Sequence, residues 1–162
     1  EASRAADRMA TLLDEVSELG RWVRGEVVLN RTPVALAPLL RDATRGVTPD
    51  PDLPTSQTLT VQGHADHLRQ VFAALAEATA RALQDHGPMA IEAGPEEGRP
   101  GLRLTFTAAG APPASLEERP ADLGRSGLGL RLVLAEAIIR AHGGSLGDAW
   151  LDGRWSGFIV RL

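Results

Sequence analysis

The sequence predicts an α/β fold of the α+β kind. It is a two-layer sandwich in which a mixed β-sheet carries helices on one face, preceded by a long N-terminal helix. Three observations lead there. Long stretches repeat apolar residues at three- and four-residue steps, the mark of helices with one buried face. Short alternating segments bounded by Gly, Pro and Asp lie between and after them, the mark of half-buried strands. The two kinds of segment alternate irregularly, which points to a mixed sheet covered on one side rather than a doubly wound parallel one.

Composition sets the outer limits. At 162 residues and 43% hydrophobic content, one domain with a substantial core is expected. A formal net charge of −4 gives no electrostatic reason to expect nucleic acid. The absence of cysteine excludes disulfides and thiolate metal sites. No apolar run approaches the ~18 residues of a membrane span, so membrane insertion within this stretch is not expected. Glu1 is not a methionine and a helical pattern is already running there, so the chain reads as a piece of a longer protein.

From Glu1 to about Arg24, Ala2, Ala5, Ala6, Met9, Leu12, Leu13, Val16, Leu19 and Val23 recur at helical spacing, with acidic and basic residues between them. The seam Ala2, Ala6, Met9, Leu13, Val16 alternates steps of four and three, as coiled coils do. Two readings stay open: a helix packed on its own domain, or half of a helical hairpin or dimer bundle. Gly25 ends it. Glu26–Arg31 reads as a short strand, and Thr32-Pro33 as the start of a helix through Leu36, Leu39, Leu40 and Ala43. Three prolines make Thr48–Pro54 a loop, and Thr58–Gln62 alternates as a strand.

The third long helix runs from Asp66 to Asp85, with Leu68, Val71, Phe72, Leu75, Ala76, Thr79 and Leu83 on its core face. Gly87-Pro88 interrupts it. Met89–Ala93 and Leu102–Thr107 form a hairpin around the turn Gly94–Gly101, and Ala108–Arg125 is a loop. Ser126-Gly127-Leu128-Gly129-Leu130 then leads into the helix Leu132–Ala141. Its inward face is read as Leu130, Val133, Leu134, Ala137, Ile138 and Ala141. Glycines there let the backbone approach a ligand, and a helix N-terminus behind an N-cap such as Ser126 suits a phosphate. A G-x-G before a helix is a weak signal alone, and the same glycines also serve simply to shape a turn. Gly143-Gly144 caps the helix. Ser145–Leu151 and Trp155–Leu162 close the chain as a hairpin around Asp152-Gly153.

The order of these elements resembles the catalytic, ATP-binding domain of sensor histidine kinases, a Bergerat-type sandwich shared with gyrase and MutL. Residues 1–25 resemble the end of the second dimerisation helix and its linker, and residues 26–162 the ATPase-like domain. Pro33–Leu40 resembles the domain's first helix. Asp66–Phe72 resembles the lead-in to the asparagine box, Ser126–Leu130 the second glycine box, and His142-Gly143-Gly144 the motif after the next helix.

The departures fall on the residues that would touch nucleotide. In the family, two asparagines one turn apart face ATP, and the second binds the magnesium ion bridging the phosphates. Here those positions are Ala74 and Ala78, and magnesium demands oxygen ligands. Arg81, one turn further, matches the basic position that would meet a phosphate. The first glycine box, Asp-x-Gly-x-Gly in the family, reads Ala108-Ala109-Gly110-Ala111-Pro112, so the aspartate that accepts the adenine amino group is Ala108. Losing a hydrogen bond to a charged group costs ~1.5–3 kcal/mol, roughly 10- to 150-fold in affinity. The nucleotide-facing residues that remain are Arg81, Gly110, Ser126, Gly127, Leu128, Gly129 and Leu130.

The four histidines are His64, His67, His86 and His142. None stands in the acid-and-proline context that marks the family's phosphoacceptor, which the resemblance places upstream of Glu1. His64 and His67 read as solvated residues at a helix start, and His142 as a cation suited to a helix C-terminus. No third ligand supports a metal site. The expectation is a degenerate kinase domain with weak or no ATP binding and no cofactor, working as a signalling or docking module. The alternatives are an active domain using ATP with magnesium to phosphorylate an absent helix, and a phosphotransfer adaptor. Implied partners are a second copy through helix 1–24, and a response regulator or partner kinase.

Overall fold

A computed structural model describes residues 2–47, 52–53, 59–83, 87–108, 119–120 and 128–162. Helix α1 spans Ala2–Val23. It ends at Gly25, whose φ of 68° suits a residue without Cβ. Residues 2–14 are all exposed, and Trp22 is the helix's buried residue.

The next segment departs from the sequence expectation. Glu26–Arg31 is not a strand; strand β1 is Thr32–Ala35, antiparallel to β2, Thr60–Gly63. Helix α2 therefore starts at Leu36 rather than at Thr32-Pro33 and spans Leu36–Ala43. The proline that fits its first turn is Pro38, the third helical residue, where no intrahelical partner awaits its missing N–H. Pro33 sits in a two-stranded pair, which leaves one edge of the strand free of ladder bonds.

Helix α3, Ala65–Ala82, buries every residue of the predicted face, from Leu68 to Thr79, with Leu83 buried just beyond. Strands β3, Met89–Pro95, and β4, Leu102–Ala108, form the predicted hairpin. Helix α4 spans Leu128–Ala141, so Gly129 lies within its first turn rather than ahead of it. Strands β5, Ser145–Leu151, and β6, Arg154–Arg161, turn at Asp152 and Gly153, both with positive φ.

The main sheet has the order β3-β4-β6-β5, all antiparallel, with one parallel bridge from Asp52 to Ala90. Register aligns Ile91, Phe106 and Phe158 in one row and Leu104 with Val160 in the next. These side chains are buried beneath α3 and α4, whose inward residues include Leu68, Phe72, Leu75, Leu134 and Ile138. Gly157 has φ 142°, and a Cβ there would collide with the Phe106 carbonyl. Only glycine lets β6 lie this close to β4.

The face of α4 differs from expectation. Its buried residues are Leu128, Leu132, Leu134, Ala135, Ile138 and Ile139. Val133 is 51% exposed and Ala141 is exposed. The helix is apolar nearly all round, so periodicity could not select the inward side. Trp150 stands half exposed at the end of β5, whereas Trp155 is fully buried.

Candidate functional site

The positions at which the sequence locates a nucleotide site lie on α3, on the end of β4 and at the start of α4. Ala74 and Ala78 are 2% and 0% exposed, and Ala78 belongs to the central core. Their methyl groups offer neither charge nor lone pair. Beside them, Thr79 is buried with its hydroxyl donating to the Leu75 carbonyl at 2.8 Å, so it too is committed within the helix. Ala108 is the partly buried last residue of β4. None of the three side chains carries an oxygen atom.

The nearest carboxylate on α3 is Glu77, and it is engaged by two cations. Arg131 on α4 donates to its Oε2, and Arg81 lies 3.7 Å from its Oε1. Arg81 is thus half exposed and paired within its own helix. An open groove of about 450 Å³ runs beside it, lined by Ala43, Arg45, Val47, Ala73, Glu77 and Arg81. Leu128, Gly129 and Leu130 form the first turn of α4, with Leu128 buried and the other two partly so. Gly110, Ser126 and Gly127 lie outside the described residues, as does His86.

Two groupings escaped the sequence reading. The first is a groove of about 440 Å³ between α4 and β5–β6. At its edge Asp148 Oδ1 accepts from Arg119 Nε at 2.7 Å and from Trp155 Nε1 at 2.9 Å, and the Arg119 guanidinium lies 5.3 Å from the Phe158 ring centroid. Arg119 and Asp148 are 29 positions apart and carry no periodic signal, so only the tertiary fold could join them.

The second is the histidines. His64 and His67 are not solvated. Both are partly buried, with ring centroids 4.3 Å apart. His67 also meets the Trp22 ring edge-on at 4.8 Å. His142 is buried and is not a helix-end cation. Its Nδ1–H donates to the Ile138 carbonyl at 2.8 Å, and its Nε2 accepts the His64 backbone N–H at 3.1 Å. That pattern requires the neutral ring. Burial pushes His142 below the ordinary histidine value, with Arg31 and His64 adding to the effect against the Ile138 bond. Burial and then His64 push His67 down as well, opposed by Glu18 and Asp66. Among the described residues no group of three His, Asp or Glu side chains is placed to hold a metal ion.

No family model matches the chain. The signal transduction histidine-protein kinase BaeS of Escherichia coli (strain K12) is 31% identical over 160 residues, an alignment covering 85% of this chain and 33% of BaeS. Among solved structures, full-length ShkA in complex with AMPPNP superposes with a TM-score of 0.73 at 21% identity, covering 98% of this chain and 36% of ShkA. Histidine kinase ThkA in complex with response regulator protein TrrA gives 0.66 at 20% identity, covering 99% and 48%. The chain spans about a third of the length of the curated relatives it matches.

Helices layered on one face of this antiparallel sheet, with a long helix leading in, are the fold of the Bergerat-type catalytic domains. Together with the relationship to BaeS, that fold makes the chain a member of the sensor histidine kinases, in the portion that forms their catalytic domain.

Proposed function

We propose that this catalytic domain of a two-component sensor kinase is degenerate, binds ATP weakly or not at all, and acts as a signalling or docking module. The observation that carries this reading is the pair Ala74 and Ala78: buried methyl groups at the two asparagine positions, the second of which would need an oxygen for magnesium. Ala108 supports it, because adenine then has no carboxylate to accept its amino group. Glu77 is no ready substitute, since two arginines already neutralise it.

The competing reading is an active domain that phosphorylates a histidine on an upstream helix. It is favoured by one specific finding, the ShkA relative in complex with AMPPNP. Calorimetric titration of ATP, with and without magnesium, separates the two. No heat at millimolar ATP, with circular dichroism showing an intact fold, is the expected result. Micromolar binding would overturn the proposal.

A response regulator is the expected protein partner, supported by the ThkA–TrrA complex. A second copy of the chain is the other. The seam of α1 leaves Met9 65%, Leu13 62% and Val16 54% exposed, an apolar stripe suited to another helix. No helix among the described residues is long and apolar enough to cross a membrane, and we assign the domain to the cytoplasm by its kinship with sensor kinases.

A further inference from the structure

The three described histidines converge at one junction, where the C-terminal end of α1 rests on the body of the domain. The contacts run in an unbroken series. Trp22, the buried residue of α1, meets His67 edge-on at 89°. His67 lies tilted against His64, and the His64 backbone N–H is held by His142 Nε2 at the end of α4. The packing leaves little slack. A Cβ on Gly63 would come within 3.0 Å of the His142 ring, so the imidazole lies directly against the β2 backbone.

From this geometry we infer that the cluster is a proton-operated latch, holding the end of α1 on the domain when the His67 and His142 rings are neutral and releasing it when they are charged. Each element packed at the junction contributes a group whose sign can be read. Protonating His142 at Nε2 destroys the only acceptor for the His64 N–H in this arrangement and sets two donors face to face. Arg31, whose Nη2 donates to the Ala141 carbonyl at 2.9 Å, adds a fixed positive charge nearby. Protonating His67 places a cation against His64, in a partly desolvated site. Two groups oppose release, Glu18 on α1 and Asp66 on α3. Both are already engaged: Glu18 accepts from Gln70 at 3.3 Å and Asp66 from Arg69 at 2.8 Å. Burial outweighs them for His67, and for His142 it outweighs the hydrogen bond to Ile138. Acid therefore loosens the junction.

Trp22 is at once the anchor of α1 and the outermost ring of the series, so undocking moves the long exposed helix relative to the sheet. The inference is independent of whether nucleotide binds.

The test labels the full 162-residue chain with 5-fluorotryptophan and follows its three tryptophans by fluorine NMR from pH 8 to pH 5, with Trp22→Phe and Trp150→Phe assigning the signals. The Trp22 resonance is expected to move with a midpoint below 6.5, the ordinary histidine value, while fully buried Trp155 stays fixed and reports an intact fold. His142→Gln, which keeps an acceptor but cannot titrate, is expected to reduce the Trp22 step to the part that His67 supplies. A flat Trp22 signal, a Trp22 shift that Trp155 shares, or an undiminished step in His142→Gln would each overturn the latch. Should the variant fail to fold, the wild-type chain still decides. A Trp22 midpoint more than about half a pH unit from those of both the His67 and His142 rings refutes it.

Discussion

At the residue scale, the chemistry of the candidate site turns on small side chains. Restoring the family's asparagine at Ala78 is expected to destabilise the domain rather than repair it. The position is fully enclosed, and a buried amide without partners costs ~1–3 kcal/mol; urea denaturation of Ala78→Asn measures the loss. Gly157→Ala is expected to cost about 3 kcal/mol or more, because positive φ and the Phe106 carbonyl both exclude a methyl group. Its urea midpoint, read beside that of the wild type, checks this. The histidines give a signed pH dependence. His142 and His67 hold folded values below the 6.5 of the unfolded chain. The unfolded state therefore takes up more protons as pH falls from 6.5 to the folded values, and stability present above 6.5 is lost across that window. Denaturant unfolding at pH 7.5 and pH 5.5 should show the lower midpoint in acid. The reverse order would mean the rings are paired with carboxylates strongly enough to favour the cation.

At the scale of elements, α1 divides into two unlike parts. Residues 2–14 are exposed and the helix meets the body near its end, where Leu19 and Trp22 pack and Glu18 accepts from Gln70. Deleting residues 2–13 is expected to leave the thermal midpoint of the rest nearly unchanged. Trp22→Ala should cost about 2–4 kcal/mol, whereas Trp22→Phe should be mild, since the indole N–H is buried without a partner. Thermal melts of the three variants compare directly. Across α3 and α4, the Glu77–Arg131 pair is part exposed and contributes only ~0.2–1 kcal/mol. The helix pair is held by apolar packing instead. Where α2 and α3 are amphipathic, their buried faces were legible in the residues, from Leu36 to Ala43 and from Leu68 to Leu83. The face of α4 was not, because its composition is apolar on every side. Nor was β1, where Thr32-Pro33 is as good a helix opening as a strand, and only pairing with Thr60–Gly63 decides.

For the whole molecule, the stripe of Met9, Leu13 and Val16 is the largest apolar feature without a cover among the described residues of α1. Sedimentation velocity across concentration is expected to show reversible self-association, and Leu13→Lys to abolish it. A strictly monomeric wild type would leave the stripe to a different protein. The kinship with sensor kinases rests on fold and on a relative of matching sequence, whereas the proposed loss of nucleotide chemistry rests on individual side chains. Titration with ATP tests the second without touching the first.

Among the described residues, residue order alone determined the long helices and the strands of the main sheet, the faces of α2 and α3, the turn at Asp152-Gly153 and the oxygen-free side chains at Ala74, Ala78 and Ala108. Each of these is written in local periodicity, backbone preference or side-chain chemistry. Only the folded chain decided which side of α4 faces the sheet, that Arg119 meets Asp148, and that His64, His67 and His142 share one site with Trp22. Those contacts join residues as many as 78 positions apart. No local pattern encodes them, because burial against a distant partner is what gives each of these groups its environment.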